Sequence, residues 1–136
     1  MIKINNALVS LGITDYALFG EPTNESEFNT MFKKVTGTNS DGSSILSSNT
    51  SNFGVTWAQV KTEYDSLVSG EALSELRKER NNKLKDTDFY ALSDVTMSSD
   101  MTTYRQALRD LPSNYTTSDG EALTDNLSYV TWPTKP

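Results

Sequence analysis

Between residues 98 and 112 the apolar positions Met101, Tyr104, Leu108 and Leu111 recur at intervals of three and four. That spacing puts them along one side of an α-helix. Ser98 or Ser99 can cap its start, and Pro112 disfavours helix at Leu111. A helix over about 100–109 is predicted. Arg105 and Arg109 lie one turn apart on a neighbouring face, late in the helix, where cations suit the macrodipole.

The same reasoning runs back to the N-terminus. In "KINNALVSLG" (3–12) Ile4, Leu8 and Leu11 share one face, which predicts a short helix with Gly12 as its C-terminal cap. "TDYALFG" (14–20) reads as a strand with Tyr16, Leu18 and Gly20 on one side and Ala17 and Phe19 on the other. Residues 20–26 are turn material. "EFNTMFKKV" (27–35) fits two templates. Phe28, Phe32 and Val35 suit a strand, while Phe28, Met31, Phe32 and Val35 suit a helix. The strand is preferred because it would pair with 14–20 as a hairpin.

In residues 36–52, every position except Ile45 and Leu46 is Gly or one of Ser, Thr, Asn and Asp. Such a tract cannot bury a core, and it is expected to be a loop or linker. From Thr56, a plausible N-cap, Trp57, Val60, Tyr64, Leu67 and Val68 follow helical spacing. Ser69-Gly70 either ends this helix or weakens it. Residues 71–86 are helical again, with Leu73, Leu76 and Leu84 apolar. Ala72 and Leu76 extend the stripe from Tyr64 and Val68, so one long helix across Gly70 also fits. Glu79–Lys83 is a favourable i,i+4 pair. Residues 86–100 form a connector with Phe89, Leu92, Val95 and Met97 as apolar anchors. The chain closes on an extended aromatic segment, 129–133.

Composition narrows the chemistry. The chain has 136 residues, 35 % of them hydrophobic, which allows a modest core. Mean hydropathy is −0.52, and no stretch nears the roughly 18 apolar residues of a membrane span. The opening "MIKINNALVSLGI" is a poor secretory signal. With 12 basic and 18 acidic side chains the net charge is −6, so nucleic acid is an unfavourable partner. The chain has no cysteine, which excludes disulfides and thiolate metal sites. It has no histidine either, and so lacks the commonest general base and metal ligand. Asp86, Asp88 and Asp94 do not make a calcium loop. Counted from Asp86, the sixth position is Ala91 and the twelfth Met97, where Gly and Glu are required. Capping and turn roles are expected instead, with Asp88 accepting from the amides of "FYAL". There is no nucleophile elbow and no phosphate loop. A non-enzymatic protein without cofactor or metal is expected.

Arg105 and Arg109 have two readings. They line a solvated face or bridge to the "DTD" carboxylates at 86–88, or they contact an acidic partner surface. Trp57 is a core anchor. Trp132, near the end of the sequence, is an interface candidate, because terminal segments need docking to be ordered.

The series "ELRKERNNKLKDTDFYALSDVTMSSDMTTYRQALRDLP", followed by "YVTWPTKP", resembles the tail assembly chaperone domain of tailed phages. That family's pattern falls on Arg77, Arg80, Leu84, Thr87, Asp88, Phe89, Leu92 and Asp94. It continues on Tyr104, Arg105, Leu108, Arg109 and Asp110, and closes on Trp132, Pro133 and Pro136. The segment before Trp132 is longer here than is usual in the family. The resemblance covers about residues 71–136. "ALVSLGITDYALFG" and "TWAQV" are more weakly similar to small phage proteins associated with tail fibres.

The resemblance implies a non-enzymatic protein that assists assembly of a tail or tail fibre in the host cytoplasm by binding a structural tail protein. The alternative is a permanent minor virion component. The expected fold is α+β: a small helix-plus-hairpin module at 1–35, a polar loop or linker at 36–55, and a mainly helical region with an extended tail at 56–136. That region is expected to be built on Trp57, Tyr64, Leu76, Leu84, Phe89, Tyr104 and Leu108. The candidate partner-binding residues are Tyr104, Arg105, Arg109, Asp110 and Trp132.

Overall fold

The structure, a computed structural model, describes residues 1–115 and 127–136. It has the expected mixed α+β composition, with four α-helices and one three-stranded antiparallel sheet among the described residues, and a mainly helical C-terminal part. Two compact units divide the chain, Met1–Leu67 and Val68–Pro136.

In the first unit, helix α1 (Ile4–Ser10) ends where Gly12 adopts a positive φ of 74°, a conformation that costs glycine no Cβ clash. Strand β1 (Tyr16–Leu18) pairs with β2 (Phe32–Thr38), Tyr16 opposite Lys34 and Leu18 opposite Phe32. The expected pairing is present, but the strand is shorter than expected. Residues 25–31 are helical, forming α2 (Glu25–Met31). The cause is a local cap. Glu27 N donates to Asn24 Oδ1 at 2.9 Å, and the Glu27 carboxylate accepts from Thr23 N and Oγ1 at 2.7 and 2.9 Å. Two acids in the first turn also suit the helix N-terminus. Phe28 from the helix and Phe32 from the strand then stack at 5.0 Å; their separation of four residues is both even and close to one helical turn, and so fits both templates.

The polar tract contributes more than a loop. It holds strand β3 (Ser44–Ser47), paired with β2, and a 3-10 turn at Thr50–Asn52. A sheet ladder needs only backbone groups, and a polar turn closes this one. Asn39 N donates to Ser43 O, and Asp41 Oδ1 accepts from Ser43 N. Ile45 and Leu46 remain exposed, so the tract adds no large side chain to the core. That core is aromatic. Phe28, Phe32 and Phe53 are fully buried, with Phe53 edge-on to both other rings, and Ile4, Leu8 and Val60 surround them. Trp57 and Tyr64, assigned by the sequence to the C-terminal region, pack against this cluster.

Helix α3 (Trp57–Lys85) starts at a reciprocal cap. Thr56 N donates to Gln59 Oε1 at 2.9 Å, and Gln59 N donates to Thr56 Oγ1 at 3.3 Å. It runs unbroken through Ser69-Gly70. A mid-helix glycine costs about 1 kcal/mol, less than the gain from burying Ala72, Leu73 and Leu76 beyond it.

In the second unit, helix α4 (Ser99–Asp110) is capped by Ser98, whose Oγ accepts from Met101 N at 3.1 Å. It passes into a 3-10 turn, Leu111–Asn114, that holds Pro112. Met101, Tyr104 and Leu108 are buried together, with Leu84, Tyr90, Met97 and Trp132 packed on them. Leu76, Leu111 and Val130 form an adjoining cluster, also touched by Trp132. Phe89 and Leu92, expected as anchors, are exposed at 51 % and 57 %. The 3-10 turn Asp88–Ala91 turns Tyr90 inward in their place, and the Phe89 ring lies 4.1 Å from the Tyr90 ring.

Candidate functional site

The second unit holds every residue singled out for binding. Tyr104 is buried as part of the core described above. Arg105 is buried as well. Its Nη1 donates to Leu84 O at 2.9 Å and to Thr87 Oγ1 at 2.6 Å, and its Nη2 donates to Asp88 Oδ1 at 3.0 Å. Thr87 is fully buried, and its own hydroxyl donates to Leu84 O at 3.0 Å. Arg105 therefore donates to the Leu84 carbonyl at the C-terminal end of α3, where a cation is favoured. Of the two readings of this arginine, the bridge to the "DTD" carboxylates is the one the contacts describe. Asp88 takes this guanidinium, and among the described residues it caps no "FYAL" amide.

Arg109 differs. It is exposed, in the last turn of α4, and its side chain has no carboxylate partner among the described residues. Its backbone carbonyl accepts from Arg80 Nη1 at 3.3 Å. Arg77 and Arg80, one turn apart on α3, join Arg109 around an open concavity of about 510 Å³, with Leu73, Pro112 and Tyr115 supplying apolar and aromatic surface. Three described carboxylates of this unit have other partners. Glu75 faces Lys78 at 3.8 Å, Glu79 faces Lys83 at 3.7 Å, and Asp110 accepts from Gln106 at 2.9 Å. The Arg77–Arg80 spacing is visible in the sequence. Its convergence with Arg109 depends on how α4 packs on α3, and no local pattern announces it.

Trp132 is half-buried. Its ring stacks under the Lys83 ammonium, 4.9 Å from the centroid. The tail is pinned beside it. Thr131 N donates to Tyr115 Oη at 3.0 Å, and the Tyr115 and Tyr129 rings meet edge to face at 5.4 Å. Burial, and then the neighbouring Tyr115, raise the Tyr129 phenol above its ordinary value. Its Oη has no hydrogen-bond partner among the described residues. Pro133, Thr134 and Pro136 line a shallow groove with Asp100, Thr103 and Ala107 of α4.

Among the described residues no group of three or more metal-ligating side chains converges. No helix of these residues is long and apolar enough to cross a membrane. This unit offers a packed helical scaffold with a cationic concavity, in a chain whose net charge is −6.

Residues 73–136 match the model of the family described as phage tail assembly chaperone protein. The match falls on the region whose motifs carried the resemblance. No curated protein and no solved structure matches the chain.

Proposed function

We propose that this protein assists assembly of a phage tail or tail fibre, in the host cytoplasm, by binding a structural tail protein transiently and without catalysis. The observation that carries this reading is the family match over 73–136, a segment that includes every core residue of α4 and the arginine concavity. The composition agrees with it: without histidine or cysteine, contact is a better-supported mode of action than chemistry. The binding surface comprises Arg109, Asp110 and the rim of Trp132, which are exposed or half-exposed. Tyr104 and Arg105 hold that surface in place from within.

Mass spectrometry of purified particles tests transience. The chaperone reading expects the protein to be absent or far below the copy number of tail components. Stoichiometric presence would make it a permanent minor virion component instead.

A further inference from the structure

Within the chaperone reading, on which this inference rests, we propose that the concavity between Arg77, Arg80 and Arg109 is the seat of an acidic, partly apolar peptide segment of the tail protein. Three guanidinium groups around one open depression repel one another unless an anion sits among them. Those of Arg77 and Arg109 have no carboxylate partner among the described residues. The third, Arg80, is held by Asn81 Oδ1 at 2.7 Å and by the Arg109 carbonyl, and so is fixed in place beside them.

The chemistry of the walls selects the occupant. Guanidinium forks match carboxylates in two-point geometry. Leu73, Pro112 and Tyr115 give the same depression an apolar side, which a bare inorganic anion leaves unused. The depression is large enough for several side chains. A long polyanion such as a nucleic acid meets the field of a chain at −6, whereas a short acidic segment feels mainly the three local charges within about 8–10 Å.

The test uses the full chain and a fluorescein-labelled peptide of alternating glutamate and leucine, followed by fluorescence anisotropy. Saturable binding that weakens with added salt is expected. Arg77→Gln/Arg109→Gln should weaken it about tenfold, and Arg77→Lys/Arg109→Lys by less, because charge survives without the fork. Both positions are exposed, so unchanged circular dichroism and melting are expected of the variants. No saturable binding, equal binding by the double glutamine variant, or tighter binding of an oligothymidylate of the same length would each overturn the proposal. A second readout separates it from the chaperone reading. If the wild-type chain raises the soluble yield of a co-expressed tail protein and the double glutamine variant does so equally, the concavity is not the seat although the chaperone reading stands. If the wild type raises no tail protein's yield, the chaperone reading fails, and the peptide titration alone decides the concavity.

Discussion

The Arg105 guanidinium lies 3.0 Å from the Asp88 carboxylate, but the two partners sit in different surroundings. The arginine side chain is 8 % exposed and the aspartate 63 %. The ion pair itself is therefore largely solvated, and its direct worth is small. The more buried half of the arrangement, Arg105 with Thr87 and Leu84 O, carries more, because its polar groups are largely shielded from water.

That asymmetry orders three substitutions. Arg105→Ala takes one donor from both the Thr87 hydroxyl and the Leu84 carbonyl, leaves them bonded only to each other and to nearby backbone, and removes packing; it should cost about 2–4 kcal/mol. Thr87→Val should cost about 1–2 kcal/mol. Asp88→Asn should cost less than about 1 kcal/mol, and still less in high salt. Urea denaturation checks the order. An Asp88 variant as damaging as the Arg105 variant would contradict it.

Trp132 bridges two apolar clusters of the second unit, that of Leu76 and that of Leu108, and lies under Lys83. Its replacement by alanine should lower stability by about 1–3 kcal/mol, below the value for a fully buried tryptophan because it is half-exposed. Thermal melting of the isolated protein measures this. Full stability with lost partner binding would make Trp132 a contact residue only.

The first unit depends on its aromatic cluster. Phe53→Ala removes the ring that packs edge-on to Phe28 and Phe32, and should cost about 3–5 kcal/mol. Amide exchange in α2 and β2 should quicken. Unchanged protection there would show that Phe53 does not hold those elements together.

Glu27 contributes to an acid limit on the same unit. Hydrogen bonds from the Thr23 backbone and hydroxyl hold its carboxyl below the ordinary glutamate value of 4.5. A carboxyl lowered in the folded state stabilises the fold above its unfolded pKa, and this contribution fades as pH falls through the folded one. Stability should therefore decline in the window below about pH 4.5, and Glu27→Gln should flatten that decline. A pH titration of the melting temperature reads both. An identical acid limb in the variant would show that Glu27 does not contribute to this limit.

Helix α4 is legible from the sequence apart from its end, because its cap and apolar stripe lie within 15 or so residues and agree; Leu111 keeps a helical backbone and Pro112 opens a 3-10 turn where a stop was expected. The length of α3 stays open at Gly70 in the sequence, since whether a glycine ends a helix depends on the burial of the residues beyond it. Phe28 and Phe32 satisfy helix and strand spacing together because a separation of four is even and also close to one helical turn. The decisive signal is the cap around Asn24 and Glu27, in a stretch that also reads as turn. Ile45-Leu46 in a polar tract gives no alternation from which β3 could be read. In the candidate site, the Arg105 bridge is foreseeable from charge, but its burial is not, because that requires knowing that α4 lies against the end of α3. The exposure of Phe89 and the inward position of Tyr90 come from a 3-10 turn that a helical or extended template does not place. Any expectation within residues 116–126 lies outside the described residues.

The assembly role is decided by co-expression of the full chain with the tail or tail-fibre protein of the same phage. A higher soluble yield of that protein is expected, with a complex recoverable before assembly. An unchanged yield with no recoverable complex would contradict it.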